Sequence, residues 1–317
     1  MTVEHDTGGA LTDSPGSSYV SVAGRGAKAK RWAVRLGFLA PAFAVILLLR
    51  LIPTAEAFRL SLTEWTGFTE PTYIGFENFR RLISDPAFFT AFRNNLIILA
   101  STPFGVGIPL LVALTLNTKI FLWRFFRTVF FLPAVLSPVI IGTYFAVILS
   151  PDGVFNTVLR SVGLDSLARG WLADPATALP TYIVVTLWSG LGVGTLIFMA
   201  ALSATDPELE DAARIDGASW FQIQRYVMVP QLRSTIEFWF VLLIIVVFTA
   251  QFPLVFTLTR GGPGHSSNVL EYLIYQRAFV TGSLGYGAAM GVILFAIVAI
   301  FVILAVLVLR RLGWSRS

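Results

Sequence analysis

A polar island at residues 205–235, set between two long apolar stretches, gathers acids, alanines and a glycine into a pattern suited to gripping another protein rather than to breaking bonds. Its core reads Asp206-Pro207-Glu208-Leu209-Glu210-Asp211-Ala212-Ala213-Arg214-Ile215-Asp216-Gly217-Ala218. Asp206 before Pro207 is a strong helix start, because a side-chain oxygen accepts an orphan amide and proline at the first helical position gives up no needed donor. Glu208, Glu210 and Asp211 then place negative charge at the positive end of the helix. Ala212 and Ala213 supply propensity with little bulk, and Gly217 takes the left-handed conformation that ends the turn. Ser219 and Gln222 form a capping box that starts a second helix, expected to end before Pro230. An ordinary amphipathic hairpin satisfies the same pattern. In the functional reading the acids and an alanine face project into a groove on a cytosolic protein, which pushes on the neighbouring apolar helices.

Bond-making chemistry has little material. The chain has no cysteine, and its two histidines are His5 and His265, so a histidine zinc site, thiol chemistry and a Ser-His-Asp triad are not expected. Gly190-Leu191-Gly192-Val193-Gly194 is glycine-rich but lies in an apolar stretch and lacks the Lys-Ser/Thr that grips phosphate and magnesium. Close helix packing or a widened pore is the expected role. Arg260-Gly261-Gly262-Pro263-Gly264 reads as a turn. No catalytic residue, no metal site and no ATP-binding motif is assigned.

The elements that must carry the island are membrane helices. With 56% hydrophobic and 13% charged residues and a mean hydropathy of +0.75, the composition is that of an integral membrane protein. About 20 apolar residues cross a hydrocarbon core as helix. Six spans are expected, at about 33–55, 94–118, 126–150, 177–204, 236–259 and 285–309, with Arg50 near the end of the first able to snorkel. The fold class is therefore an all-α membrane protein of six transmembrane helices. Of the 23 basic residues, 14 fall in the N-terminal flank, the loop after span 2, the island and the C-terminus, which places both termini and the island in the cytoplasm. Residues 1–32 are expected to be a mobile cytoplasmic tail and not a signal peptide, and residues 311–317 a short cytoplasmic tail. The net charge of +5 follows from the inward-facing basic residues, with no stripe for nucleic acid.

Asp211-Ala212-Ala213-Arg214-Ile215-Asp216-Gly217-Ala218, followed by Trp220, Phe221 and Pro230, closely resembles the EAA loop of ABC importer permeases. The likeness extends to Gly75-Phe76-Glu77-Asn78-Phe79, Arg127-Thr128-Val129-Phe130-Phe131-Leu132-Pro133, Trp171-Leu172-Ala173-Asp174 and Leu258-Thr259-Arg260-Gly261-Gly262-Pro263, covering nearly everything from 33 to 310. Those segments are similar to sugar-importer permeases of the maltose-transporter type, the partner with the long first periplasmic loop. Two departures stand out: the usual glutamate of the loop is Asp211, and a frequent proline after Pro230 is Ser234. The extra N-terminal spans and large outer insert of the maltose subunit are not expected.

The resemblance implies a six-span permease domain at 33–310 in a bacterial cytoplasmic (inner) membrane, with residues 205–234 as the cytoplasmic coupling loop between spans 4 and 5. It implies a second homologous permease, two ATPase domains that carry ATP and magnesium, and an extracytoplasmic solute-binding protein, with membrane lipid around them. The ATPase-coupling residues would be Glu210, Asp211, Ala212, Ala213, Arg214, Asp216, Gly217 and Ala218. The chain itself would be no enzyme. The implied cargo is a di- or oligosaccharide, with glycerol-3-phosphate or a related phosphodiester as the alternative and an ion-coupled secondary carrier as a more distant rival.

Alignment with the sugar-contacting spans of that family places Thr186, Ser189 and Gly190 in span 4 and Gln251 in span 5 on the substrate pathway. Tyr144 and Thr249 are candidates from polarity and depth alone. Hydroxyls in spans also bond their own preceding turn, whereas a buried amide such as that of Gln251 needs several partners. Arg50, Arg260 and Arg277 sit toward span ends, which favours a neutral sugar over a phosphate.

Overall fold

The computed structural model describes residues 37–118 and 120–311. The expected tails at 1–32 and beyond Arg311, with Arg25, Lys28, Lys30, Arg31, Arg35, Lys119 and Arg316, lie outside the described residues. The chain divides after Ala55 into two compact units. The first helix, α1 (Gly37–Ser61), begins in the first unit and has a mean hydropathy of 2.0, so it is apolar and long enough to cross a membrane. It widens into a π turn at Leu47–Leu51, two residues ahead of Pro53. The wider turn relieves the clash that a proline ring makes with the turn before it.

The second unit opens with a short hairpin, β1 (Thr63–Glu64) against β2 (Thr72–Tyr73), in register Thr63 to Tyr73 and Glu64 to Thr72. α2 (Glu77–Ile83) follows. α3 (Pro86–Ala100) and α4 (Thr102–Asn117) join as one 32-residue apolar helix. Next come α5 (Trp123–Val135), α6 (Pro138–Ile148), α7 (Val154–Ser161) and the long α8 (Pro175–Leu202). The polar loop folds as α9 (Pro207–Ile215) and α10 (Trp220–Gln231), leading to α11 (Arg233–Thr249) and α12 (Phe252–Leu258). α13 (Leu270–Tyr275) and a π turn at Gln276–Val280 precede the last helix, α14 (Leu284–Arg311).

α8 is the central element, packed on α4 and α5, while α12 packs on α6 and α11 on α14. The glycine run of α8 makes this closeness possible. A Cβ on Gly192 would stand 2.8 Å from that of Ala134 in α5, and one on Gly194 would stand 2.8 Å from Pro109 in α4 and 3.1 Å from Trp239 in α11. Small residues thus let neighbouring backbones approach, as helices do in lipid. Two buried clusters result. One, with Phe198, Leu202, Met228 and Trp239, lies at the end of the bundle that carries the polar loop. The other, with Tyr182, Phe248, Val255, Leu273 and Met290, lies toward the opposite end.

The structure puts a break in two of the expected spans and corrects the expected end of one loop helix. Four described helices are long and apolar enough to cross a membrane, and two further stretches pass only as bent pairs. The expected span at 126–150 is α5 and α6 meeting at 102°, because Ser137 accepts the Val139 amide and Pro138 starts a new helix. The expected span at 236–259 breaks at Ala250 and Gln251 into α11 and α12. Pro253 causes the break, since its missing N–H and its ring forbid a continuous turn. Finally, α10 does not stop before Pro230: a π turn at Gln224–Met228 carries the helix to Gln231, the same device seen before Pro53. α10 then meets α11 at 72°.

Candidate functional site: the polar loop and the broken helix

α9 forms for the reasons its sequence suggests. The Asp206 carboxylate accepts the Glu208 amide at 3.0 Å, and Pro207 occupies the first turn. Gly217 ends the helix with φ +79, and a Cβ there would meet nothing within 4 Å. Ser219 and Gln222 form a complete capping box ahead of α10.

The faces of α9 differ from the expected arrangement. Ala213, and Ala218 just beyond the helix, pack inward on the cluster of Phe198, Leu202 and Met228. They seat the loop on the bundle, and only Ala212 of the three alanines is exposed. The Glu210 side chain is 16% exposed and held by Arg214, whereas Asp211 is 69% exposed and only 3.4 Å from the same guanidinium. Asp216 and Gly217 are exposed. The outward surface is completed by a side chain not singled out from the sequence, Ile215, which is 87% exposed. Phe221 and Tyr226 of α10 are also exposed. An isolated isoleucine at the C-terminal end of a polar helix was the available signal.

The second constellation surrounds the break between α11 and α12. Gln251 is 3% exposed. Its side-chain oxygen accepts the Tyr182 hydroxyl of α8, and its amide donates to the Val246 carbonyl at 3.0 Å. Its backbone N–H and that of Phe252 donate to one carboxylate oxygen of Glu271 in α13, at 2.7 and 2.9 Å. Glu271 thereby caps α12 from 20 residues away, supplying the acceptor for two amides left free at a helix start. Burial pushes its carboxyl above the ordinary range, and the hydrogen bonds from Phe252 and Gln251 pull the other way.

Asn95 reinforces the join, donating to the Val247 carbonyl at 2.7 Å and accepting the Leu270 amide at 2.9 Å. Asn94 donates to the carbonyls of His265 and Asn268. These links were not read from the sequence. The adjacent Asn94-Asn95 at the head of an apolar stretch was a usable signal, since buried amides demand partners. Tyr182 and Glu271 reveal themselves only through contacts distant in sequence.

Beside the break lies a cavity of about 40 Å³ lined by Ser101, Thr102, Thr186, Gly190, Trp239 and Gln251 among others, none of them charged. Three of the six pathway candidates, Thr186, Gly190 and Gln251, therefore meet. Ser189 is half-buried and donates to the Thr186 carbonyl. Tyr144 and Thr249 are exposed and do not line the cavity. The space suits a few waters, well short of the roughly 300 Å³ of ordinary ligand pockets.

Residues 86–314 match the family model described as the binding-protein-dependent transport system inner membrane component. A probable ABC transporter permease protein of Pyrococcus horikoshii is 35% identical over 282 residues, spanning 88% of this chain and 94% of the relative. A diacetylchitobiose uptake system permease protein of Streptomyces coelicolor is 31% identical over 291 residues, spanning 88% and 82%. Among solved structures, a chain of a bacterial alginate ABC transporter in complex with an alginate pentasaccharide-bound periplasmic protein aligns with a TM-score of 0.78 at 25% identity, covering 90% of this chain and 96% of that one. With a helical bundle, an exposed capped polar loop and a family match that reaches from α3 past the end of α14, the chain belongs to the inner-membrane components of binding-protein-dependent transport systems, the permeases of ABC transporters.

Proposed function

We propose that this chain is the membrane-spanning permease subunit of an ATP-driven importer and forms, with a second homologous permease, the path for a di- or oligosaccharide delivered by an extracytoplasmic binding protein. It sits in the bacterial cytoplasmic membrane with six spans, the bent pair α5 and α6 counting as one and α11 with α12 as another, and with both termini and the polar loop in the cytoplasm. ATP and magnesium belong to two ATPase domains that dock on residues 205–234. The carrying observation is the exposed end of α9: Asp211, Ile215, Asp216 and Gly217 form a rigid, capped knob whose base, Ala213 and Ala218, is packed into the bundle. A push on that knob reaches α8 and α11 through the cluster of Phe198, Leu202 and Trp239.

The choice of a sugar rests on the uptake systems named among the relatives and on the uncharged lining of the cavity at Thr186, Gly190 and Gln251. A phosphodiester would call for a free cation there. Arg277 is instead paired with Asp85 at 3.2 Å. Tyr144 and Thr249, exposed on this chain, face the second permease in this reading, and Ser189 orders the wall behind Thr186.

The absence of cysteine makes the docking directly testable. Ile215→Cys is expected to form a disulfide with a cysteine placed along the groove of the ATPase subunit, within the assembled complex. A cysteine at exposed Val162, in the loop after α7, is expected to form none. Cross-linking from position 162 and not from 215 would refute the assignment of the loop.

A further inference from the structure

We infer that the end of the bundle opposite the polar loop carries a second, pre-formed binding site for a single pyranose unit of a neutral saccharide. The choice of ligand rests on the sugar reading above; the site itself rests on its own geometry. A pocket of about 330 Å³ lies between the β1–β2 hairpin, α2 and the start of α14, lined by Glu64, Trp65, Glu77, Asn78, Arg81 and Tyr286 among others. That volume is at the lower end of ordinary small-molecule sites.

Its walls are held before any ligand arrives. Asn78, 6% exposed, donates to the carbonyls of Ser61 and Thr63 at 3.0 and 2.9 Å and so fixes the hairpin to α2. Gly285 lets α14 touch the hairpin: a Cβ there would come 2.0 Å from the Thr63 carbonyl oxygen. The Gly285 amide donates to the Trp65 carbonyl, and the Trp65 indole donates to the Thr69 carbonyl at 2.7 Å. The Tyr286 hydroxyl donates to Asp85, and the Arg81 guanidinium lies 4.6 Å from the centre of the Tyr286 ring. A wall this rigid loses little freedom on binding.

Its polar groups are nonetheless uncommitted. Among the described residues, Glu64 and Arg81 have no ion-pair partner, and Glu77 has only a solvent-exposed contact with Arg80 at 3.4 Å. The mixture selects the ligand. A simple anion meets Glu64 and Glu77, a simple cation meets Arg81, and an acyl chain meets too many charges. A pyranose ring offers hydroxyls that donate to both carboxylates and accept from the guanidinium, together with a C–H face for the indole of Trp65. A basic side chain of the binding protein would use the carboxylates and leave Arg81 opposed.

The test uses the whole importer in nanodiscs without its binding protein, titrated separately with maltose, N,N′-diacetylchitobiose and cellobiose, with binding followed by saturation-transfer NMR. At least one sugar is expected to bind saturably, and Glu64→Gln with Glu77→Gln together, both at exposed positions, to weaken that binding about tenfold or more. No saturable binding, or equal binding to both proteins, would overturn the site. So would binding of no sugar combined with weaker capture of the sugar-free binding protein by the double variant, which would assign the pocket to a basic side chain. ATP hydrolysis by the unsubstituted complex with binding protein is measured in parallel. A sugar response there, alongside failure at the pocket, sinks only this inference; no response to any sugar sinks the transport reading on which it rests.

Discussion

Replacing Asp211 with lysine and Gly217 with valine in the assembled importer is expected to abolish substrate-driven ATP hydrolysis and uptake while leaving the bundle folded. Both positions face away from the packed core, with Asp211 69% exposed and open space around the Cβ position of Gly217. The fold therefore suffers little beyond backbone strain at φ +79, about 1–2 kcal/mol for a residue with a Cβ. Docking suffers far more. Lysine reverses the charge presented to the partner groove, and like-charge juxtaposition at an interface costs several kcal/mol. Valine at 217 adds bulk and perturbs the turn that sets Ile215. A loss of about 100-fold or more in coupled hydrolysis corresponds to about 3 kcal/mol. The check is uptake and ATPase activity alongside size-exclusion behaviour in mild detergent. Normal uptake by the double variant would remove the loop from the coupling route.

The second large effect is expected at Glu271. Alanine there leaves the Gln251 and Phe252 amides without their shared acceptor, at about 1–3 kcal/mol for each buried donor left unpaired. It also frees α12 from α13. Glu271→Ala should lower the apparent melting temperature of the detergent-solubilised complex by about 2–4 °C per kcal/mol lost and reduce uptake steeply. Glu271→Gln keeps an oxygen in the same place and should retain most of both properties. Equal loss in the two variants would mean that the negative charge matters and not the capping geometry. Tyr182→Phe removes a single bond to the Gln251 side chain and should fall between them.

The contrast between these two regions marks what could be read from the chain. The capped helices of the polar loop were legible because Asp206-Pro207, Gly217 and the Ser219 and Gln222 pair act on their own immediate neighbours. Local rules sufficed there. The direction of each face was not, because Ala213 turns inward only through its contact with a cluster drawn from α4, α8, α10 and α11. The apolar stretches marked the helices but missed the bend at Pro138 and the break before Pro253, since hydropathy counts a proline among apolar neighbours without registering its lost donor. Gln251 was singled out as a candidate for sugar. Its side chain lines the cavity and is also held by Tyr182, 69 residues away, and by Val246, while Glu271 caps its backbone. A site built across such separations needs three dimensions to be seen. Thr186 and Gly190 line the same cavity.

Affinity purification of this subunit from mild detergent, followed by ATP hydrolysis with the copurified binding protein and a panel of oligosaccharides, tests the central claim most directly. The account predicts recovery of a second permease and an ATPase, with hydrolysis raised by one sugar and not by glycerol-3-phosphate. A subunit that purifies alone and is indifferent to ATP, or a complex that answers only to the phosphate, would contradict it.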